Sequence, residues 1–390
     1  MKNKIYLDNA ATTPLDDRVL EVMLPYFTEK YGNPSSVYTF GNEARRAVDE
    51  ARKQAARLIG ARLDEIYFTS GGSESDNWAL KAVSDAFSDK GKHIITSKIE
   101  HHAVINTCKY LEKHGYEITY LDVDKYGRIN LEDVKSAIRP DTILISIMSA
   151  NNEIGTIEPI SGIGRIAHEN GVLFHTDAVQ AYGHIDIDVN EMNIDLLSAS
   201  GHKFNGPKGT GIMYIRKDIK IGSLIHGGAQ ERSRRAGTLN VPGIVGFGKA
   251  AEIAGDALHE RMETEKKVRD YFIERVLNEI PYATLNGDRT DRLPNNANFS
   301  FEFVDGESVL ILLDQMGIYV SSGSACSSGS LDPSHVLTSI GLTDDLARGT
   351  LRFTLSEKTT VSEIDTVVEE LKKIIEKLRN MSPVYKQYRK

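Results

Sequence analysis

From about residue 50 to residue 250 the apolar positions alternate between two patterns. Helical spacing runs through Asn42–Ile59 and Glu74–Phe87. Short apolar runs of strand character lie at Glu65–Phe68, Ile94–Thr96, Ile118–Leu121, Thr142–Met148, Val172–Phe174, Leu196–Ala199 and Gly211–Ile215. Strands separated by helical segments predict βαβ units and a mostly parallel, doubly wound α/β sheet. Ligands of such sheets sit beyond the carboxyl ends of the strands, so the residues after each run are where chemistry is expected. Past about Ala250 comes a charge-rich helical stretch, Ala251–Leu277, and then a mixed α+β region. The chain closes on Ser362–Asn380, where Ile364, Val367, Leu371, Ile374, Ile375 and Leu378 make an amphipathic stripe suited to core packing, with Ser362 as its expected N-cap. The expected boundary lies near residue 255: a large body over 15–255, and a smaller one made of 1–14 and 256–390.

Composition narrows the function classes. The 390 residues are 40% apolar and 26% charged, ordinary globular usage with ample material for a core. The net charge of −8 gives no global basic field for nucleic acid or acidic membrane. The longest apolar run, TILISIMSA, is far short of the roughly 20 residues a spanning helix needs. The opening MKNKIYLDNAATTP has too short an apolar part for a signal peptide. Two cysteines exclude a disulfide scaffold and suit a reducing compartment, so a cytoplasmic enzyme is expected.

Several residues stand where strands are expected to end. In TSGGSESDN (residues 69–77), Gly71, Gly72 and Ser73 precede a helix, where backbone amides close on an anion; a tight turn with a Ser cap is the plainer alternative. Asp177 follows the strand Val172–His175 and suits a cationic ring nitrogen, or caps the next helix. Lys203, in SASGHKFNGPKG (residues 198–209), suits Schiff-base chemistry if desolvated, or is a solvated loop lysine. His101 and His102 offer an acid–base or stacking group, and no third ligand at sensible spacing makes them a metal site. An anion cradle, an aspartate, a lysine and a histidine at successive strand ends together fit pyridoxal 5′-phosphate. Cys326 sits in SSGSACSSGS (residues 321–330), a composition expected of a mobile surface loop. Cys108, among Val104, Ile105 and Leu111, is expected to be a buried structural thiol.

A series of motifs in order carries a family resemblance: LDNAATTP, YGNPSS, TSGGSESDN, TSKIEHHAV, NNEIGT, HTDAVQ, SGHKFNGPKGTG, RRAGTLNVPGIVG, SSGSACSSG and LRFTLS. Over essentially its full length the chain resembles the cysteine desulfurases of the NifS/IscS kind, fold type I pyridoxal-phosphate enzymes of the class V aminotransferase group. The resemblance implies a large domain with a mostly parallel seven-stranded sheet sandwiched by helices, plus a smaller α+β domain carrying the catalytic Cys loop at about 321–333.

It also implies roles. Lys203 holds the cofactor covalently, Asp177 pairs with its ring nitrogen, His101 stacks on the ring and serves in proton transfers, and Gln180 bonds the ring hydroxyl. Gly72, Ser73, Ser200 and His202 hold the phosphate, with Thr238 reaching across from a second subunit of a homodimer. Asn152, beside the cofactor, binds the substrate carboxylate together with Arg352, and Cys326 is the nucleophile. No resident metal is implied, and transient ligation of an iron–sulfur cluster by Cys326 stays open. The implied reaction takes sulfur from L-cysteine, leaving L-alanine and a Cys326 persulfide that passes to a protein acceptor, such as an iron–sulfur scaffold or a thiolation protein. Direct contact with nucleic acid or membrane is not expected. A selenocysteine lyase, an aminotransferase of the same group and a non-catalytic protein of the same fold are the competing readings.

Overall fold

A strand whose two faces are both covered by helices buries every residue, and the apolar runs of the first body are of that kind. The computed structural model describes residues 4–322 and 333–388. Its strands are β1 (Ile5–Tyr6), β2 (Ile66–Thr69), β3 (His93–Ser97), β4 (Glu117–Leu121), β5 (Thr142–Ser146), β6 (Leu173–Asp177), β7 (Leu196–Ser200), β8 (Gly211–Ile215), β9 (Ala283–Leu285), β10 (Asn296–Phe301), β11 (Ile318–Tyr319), β12 (Ser321–Ser322) and β13 (Thr350–Thr354). Seven of them form one sheet in the order β2-β8-β7-β6-β5-β3-β4, all running the same way except β8. The chain is thus an α/β protein with a large, mostly parallel sheet.

Alternation along each strand feeds two apolar layers. Ile212 and Tyr214 of β8 and Leu197 of β7 pack with the helices Thr39–Arg57 and Val241–Asp256. Met213, Ile215 and Leu196 point the other way, toward Trp78, Leu80 and Val83 of the helix Gly72–Ala86 and Val104 and Cys108 of the helix His102–Glu112. Cys108 is fully buried, and burial pushes its thiol pKa well up.

A second sheet, β12-β13-β10-β9, is antiparallel throughout. One face is apolar: Ala297, Phe299, Phe301, Leu351 and Phe353 pack on the helices Leu258–Glu279 and Val361–Met381, joined by Ile5 and Leu7. The alternate residues Asn296, Asn298, Ser300, Thr350, Arg352 and Thr354 are polar yet equally buried. They satisfy one another and the first body: Ser300 and Thr350 share a hydroxyl contact of 2.6 Å, and the Asn298 side-chain amide donates to the Glu153 carbonyl at 3.1 Å. Period two therefore turns Arg352 away from Leu351 and Phe353 and toward the edge of the large sheet.

Three sequence expectations need correction. The closing helix is capped by Thr360, not Ser362. The Thr360 hydroxyl accepts from the Glu363 amide, and the Glu363 carboxylate accepts from the Thr360 amide, so two orphan donors are satisfied reciprocally. The stretch Ala251–Leu277 is two helices, Val241–Asp256 and Leu258–Glu279, meeting at Ala257, whose φ of −112° and ψ of 10° are not helical. Ser321 and Ser322, expected in the serine-rich loop, are strand β12 instead; the rest of that expected loop, with Cys326, lies outside the described residues.

The ring of Phe299 lies 5.4 Å from that of Phe272 and 6.0 Å from that of Phe353. Phe299→Ala is expected to destabilise the protein by about 3–5 kcal/mol through lost burial and a residual cavity. A lowered urea midpoint checks it; an unchanged midpoint would refute the contribution of the Phe299 ring to the core.

Candidate active site

The carboxyl ends of the parallel strands converge on one cavity of about 320 Å³. It is lined by Gly72 and Ser73 after β2, His101 after β3, Met148 and Asn152 after β5, Asp177 and Gln180 at the end of β6, and Ser200, His202 and Lys203 after β7. Arg352 closes it from the second sheet, and Ala10 and Ala11 from the N-terminal segment. Thr238 is exposed and does not line this cavity.

Local geometry explains the placements. Gly71 has a φ of 149°, open only to glycine, and lets the chain reverse from β2 into the helix Gly72–Ala86. That helix starts two residues earlier than expected, so Gly72 and Ser73 are first-turn residues whose amides have no intrahelical partner. A Cβ on Gly72 would stand 2.5 Å from Val179 Cγ2, so glycine is required there too. Lys203 ends a single 3-10 turn, Gly201–Lys203, after β7. Its Nζ donates to the carbonyls of Ala10 (2.6 Å) and Ala11 (2.9 Å), and its own carbonyl is 2.9 Å from His184 Nε2.

His101 is the N-cap of the helix His102–Glu112, where its Nδ1 accepts from the Ala103 amide at 3.1 Å. An accepting Nδ1 leaves the proton of the neutral ring on Nε2. Burial, with Lys203 and His102 nearby, lowers His101 to about 4. Burial likewise lowers His202 to about 4, and the His202 Nδ1 lies 3.1 Å from Thr12 Oγ1.

Beneath the cavity lies an acidic pair. Asp177 accepts from the Val179 amide at 2.9 Å, and Asp76, almost fully buried, lines the same cavity. Burial pushes both carboxyls up, and the charge of Asp177 adds to the shift of Asp76. Asp76, Asp177 and His101 bring ligand atoms within 4.8 Å of one another. Asp76 Oδ1 and Arg352 Nε are buried without a hydrogen-bond partner among the described residues.

These features fit pyridoxal phosphate. Two buried carboxyls raised by desolvation are stabilised by a cation placed against them, as a protonated ring nitrogen would be. Free first-turn amides, the helix dipole and the neighbouring Ser200 suit a phosphate. Lys203 would supply an amine, and Arg352, 2% exposed, would suit a carboxylate with its charged fork.

Asp76 and His184 were not singled out from the sequence. Asp76 follows Gly72 by four residues, so both lie on one face of the helix, and that spacing was a usable signal. Nothing local marks His184, which meets Lys203 through the backbone.

The chain belongs to the class-V aminotransferase family, whose model matches residues 5–367. Within that family it is 58% identical over 386 residues to the cysteine desulfurase IscS of Methanosarcina thermophila, covering 99% of this chain and 95% of the relative. The corresponding protein of Dictyoglomus turgidum is 57% identical, covering 99% and 98%. Among solved structures, a NifS-like protein superposes with a TM-score of 0.90 at 41% identity, over 96% of this chain and all of that one, 100%. SspA in complex with cysteine gives a TM-score of 0.82 at 40% identity, over 92% and 100%.

Burial pushes Glu100, next to His101, up to about 8, although the Met148 amide and Ser97 hydroxyl donate to it. A carboxyl raised above its unfolded pKa stabilises the fold while protonated, and that contribution is lost as pH rises toward the folded value. Histidines lowered by burial act in the opposite sense, but only below their unfolded pKa of about 6.5. Between pH 6.5 and 8 raised buried carboxyls such as Glu100 therefore dominate. Glu100→Gln is expected to reduce the loss of thermal stability across that window, measured by melting temperature against pH. An unchanged slope would show that Glu100 is ionised in the native protein.

Proposed function

We propose that this chain is a pyridoxal-phosphate-dependent cysteine desulfurase that takes sulfur from L-cysteine, releases L-alanine and hands the sulfur from Cys326 to a protein acceptor. The observation that carries the proposal is the convergence of Lys203, Asp177, His101, the Gly72–Ser73 helix start and Arg352 on one cavity. The relatives named cysteine desulfurase, and the structural relative described with bound cysteine, support the same substrate.

Bound pyridoxal phosphate supplies an electron sink that stabilises negative charge at the substrate Cα and weakens its Cβ–S bond. In this reading Lys203 would hold the cofactor, and its Nζ would take the substrate Cα proton. The carbonyls of Ala10 and Ala11 stand ready to hold the resulting ammonium. Asp177, with Asp76 nearby, would keep the ring nitrogen protonated, and Gln180 would meet the ring hydroxyl. His101, neutral with its proton on Nε2, covers the ring and moves protons. Ser200 and His202 join Gly72 and Ser73 on the phosphate. Asn152 and Arg352 take the substrate carboxylate. The Cys326 thiolate attacks the substrate sulfur. An S–S bond forms, the Cβ–S bond breaks, and Cβ gains a proton, so cysteine plus thiol becomes alanine plus persulfide.

The reading includes a homodimer in which Thr238 completes the phosphate site of the partner subunit. The exposure of the large apolar side chains Phe27 (58%), Tyr31 (70%) and Val37 (90%) supports it, since each gains from being covered. An iron–sulfur scaffold is the favoured acceptor, in keeping with the IscS relatives. No helix among the described residues is long and apolar enough to cross a membrane. Two cysteines in 390 residues suit a cytoplasmic setting.

Purified protein incubated with L-cysteine and a thiol reductant is expected to release sulfide and alanine in equal amounts. Cys326→Ala should keep the colour of the bound cofactor yet release no sulfide, and Lys203→Ala should lose both colour and turnover. Wild-type desulfuration by Cys326→Ala would defeat the persulfide route. In a second test, light scattering should give twice the chain mass, and Thr238→Ala should weaken cofactor retention. A fully active monomer would refute the shared site.

A further inference from the structure

Residues 8–11 strap the second sheet to the lysine turn. On one side the Asn9 side-chain amide donates to the Thr354 carbonyl and the Ala10 amide to Thr354 Oγ1, both at 2.8 Å. On the other, the Ala10 carbonyl accepts from Lys203 Nζ at 2.6 Å and from Gln180 Nε2 at 3.0 Å. At the head of the strap, Asp8 Oδ1 accepts from Arg352 Nη2 at 2.9 Å. The Asn152 carbonyl accepts from Nη1 of the same guanidinium at 3.0 Å.

Arg352 is thus pinned at both terminal nitrogens, while its buried Nε has no partner among the described residues. A planar carboxylate pairs best with two parallel N–H groups, so the orientation of the guanidinium plane decides whether substrate binds bidentately. We propose that Asp8 is a positioning residue for the substrate carboxylate: by accepting from Nη2 it fixes the plane of the Arg352 guanidinium that lines the cavity. The strap also sets the spacing of the two ends of the reaction. Asp8 and Ala10 are two residues apart, at most about 7 Å along the backbone, so Arg352 and Lys203 are located from one short segment. An error of that spacing would misplace Cα relative to the lysine amine. The inference rests on the assignment of Arg352 to the substrate carboxylate.

The test compares Asp8→Ala, Asp8→Asn and Arg352→Gln in the cofactor-loaded enzyme, by steady-state kinetics with L-cysteine and by calorimetric binding of L-alanine. Asp8→Ala should raise KM about tenfold and weaken L-alanine by a similar factor, with a much smaller change in kcat, as expected for losing one charge-assisted contact. Asp8→Asn keeps an acceptor oxygen at the same place and should restore most of both. A substitution that merely loosened the fold would lower the melting temperature without this split or this rescue. If Asp8→Ala leaves both constants unchanged or tightens them while Arg352→Gln weakens both, the role of Asp8 is refuted and that of Arg352 stands. If Arg352→Gln changes neither, the carboxylate assignment fails and the inference with it. Should Asp8→Ala not fold, Asp8→Glu carries the test. It keeps the charge but moves it by one methylene, so a raised KM supports positioning and an unchanged KM overturns it.

Discussion

Strands that run in one direction all finish at the same edge of their sheet, and the chain must leave that edge through turns whose backbone groups have no ladder partners. Here that constraint gathers Gly72, His101, Asn152, Asp177 and Lys203, spread over more than a hundred residues, around one cavity. The reversed strand β8 does not break the arrangement, because it lies between β2 and β7 and leaves their carboxyl ends on the shared side. Helices that start at the edge bring unpaired amides with them, so the same topology that collects side chains also builds an anion cradle.

The second constraint is electrostatic. The cavity floor holds carboxyls and imidazoles at depths where charge is costly, and burial moves them toward their neutral forms. Such a floor is poorly matched to an empty site and well matched to a ligand with a basic ring nitrogen. Arg352 and Lys203 stay compensated by different means: one by Asp8 and the Asn152 carbonyl, the other by two carbonyls of the N-terminal strap. Residues 8–11 take part in both sets of contacts, which makes this short segment one mechanical link between the two sheets at the cavity.

Much of this was legible along the chain because period two and period 3.6 are local signals. Gly211–Ile215 is the strand the apolar run predicts, and Glu74–Phe87 differs from the helix Gly72–Ala86 by two residues at its start and one at its end. The misses have physical causes. Thr360 outcompetes Ser362 because only Thr360 has a glutamate three residues ahead to complete the reciprocal cap. The region after Ala250 was legible only as mixed α+β, because the face of β10 carrying Asn296, Asn298 and Ser300 is polar yet buried, with partners that come from remote parts of the chain.

The amino-acid sequence by itself determined the alternation of strands and helices, the glycine turn at 71–72, the order of the chemical groups and, through its motifs, the family. Those features depend on residues close together in the chain. Which groups touch was decided only by the tertiary structure. Asp8 meets Arg352 across 344 positions, Ala10 meets Lys203 across 193, and Asp76 comes within 4.8 Å of Asp177, in approaches that no local pattern encodes. The reason is that a hydrogen bond or a desolvation cost depends on distance in space, and distance in space between remote residues exists only once both sheets have packed.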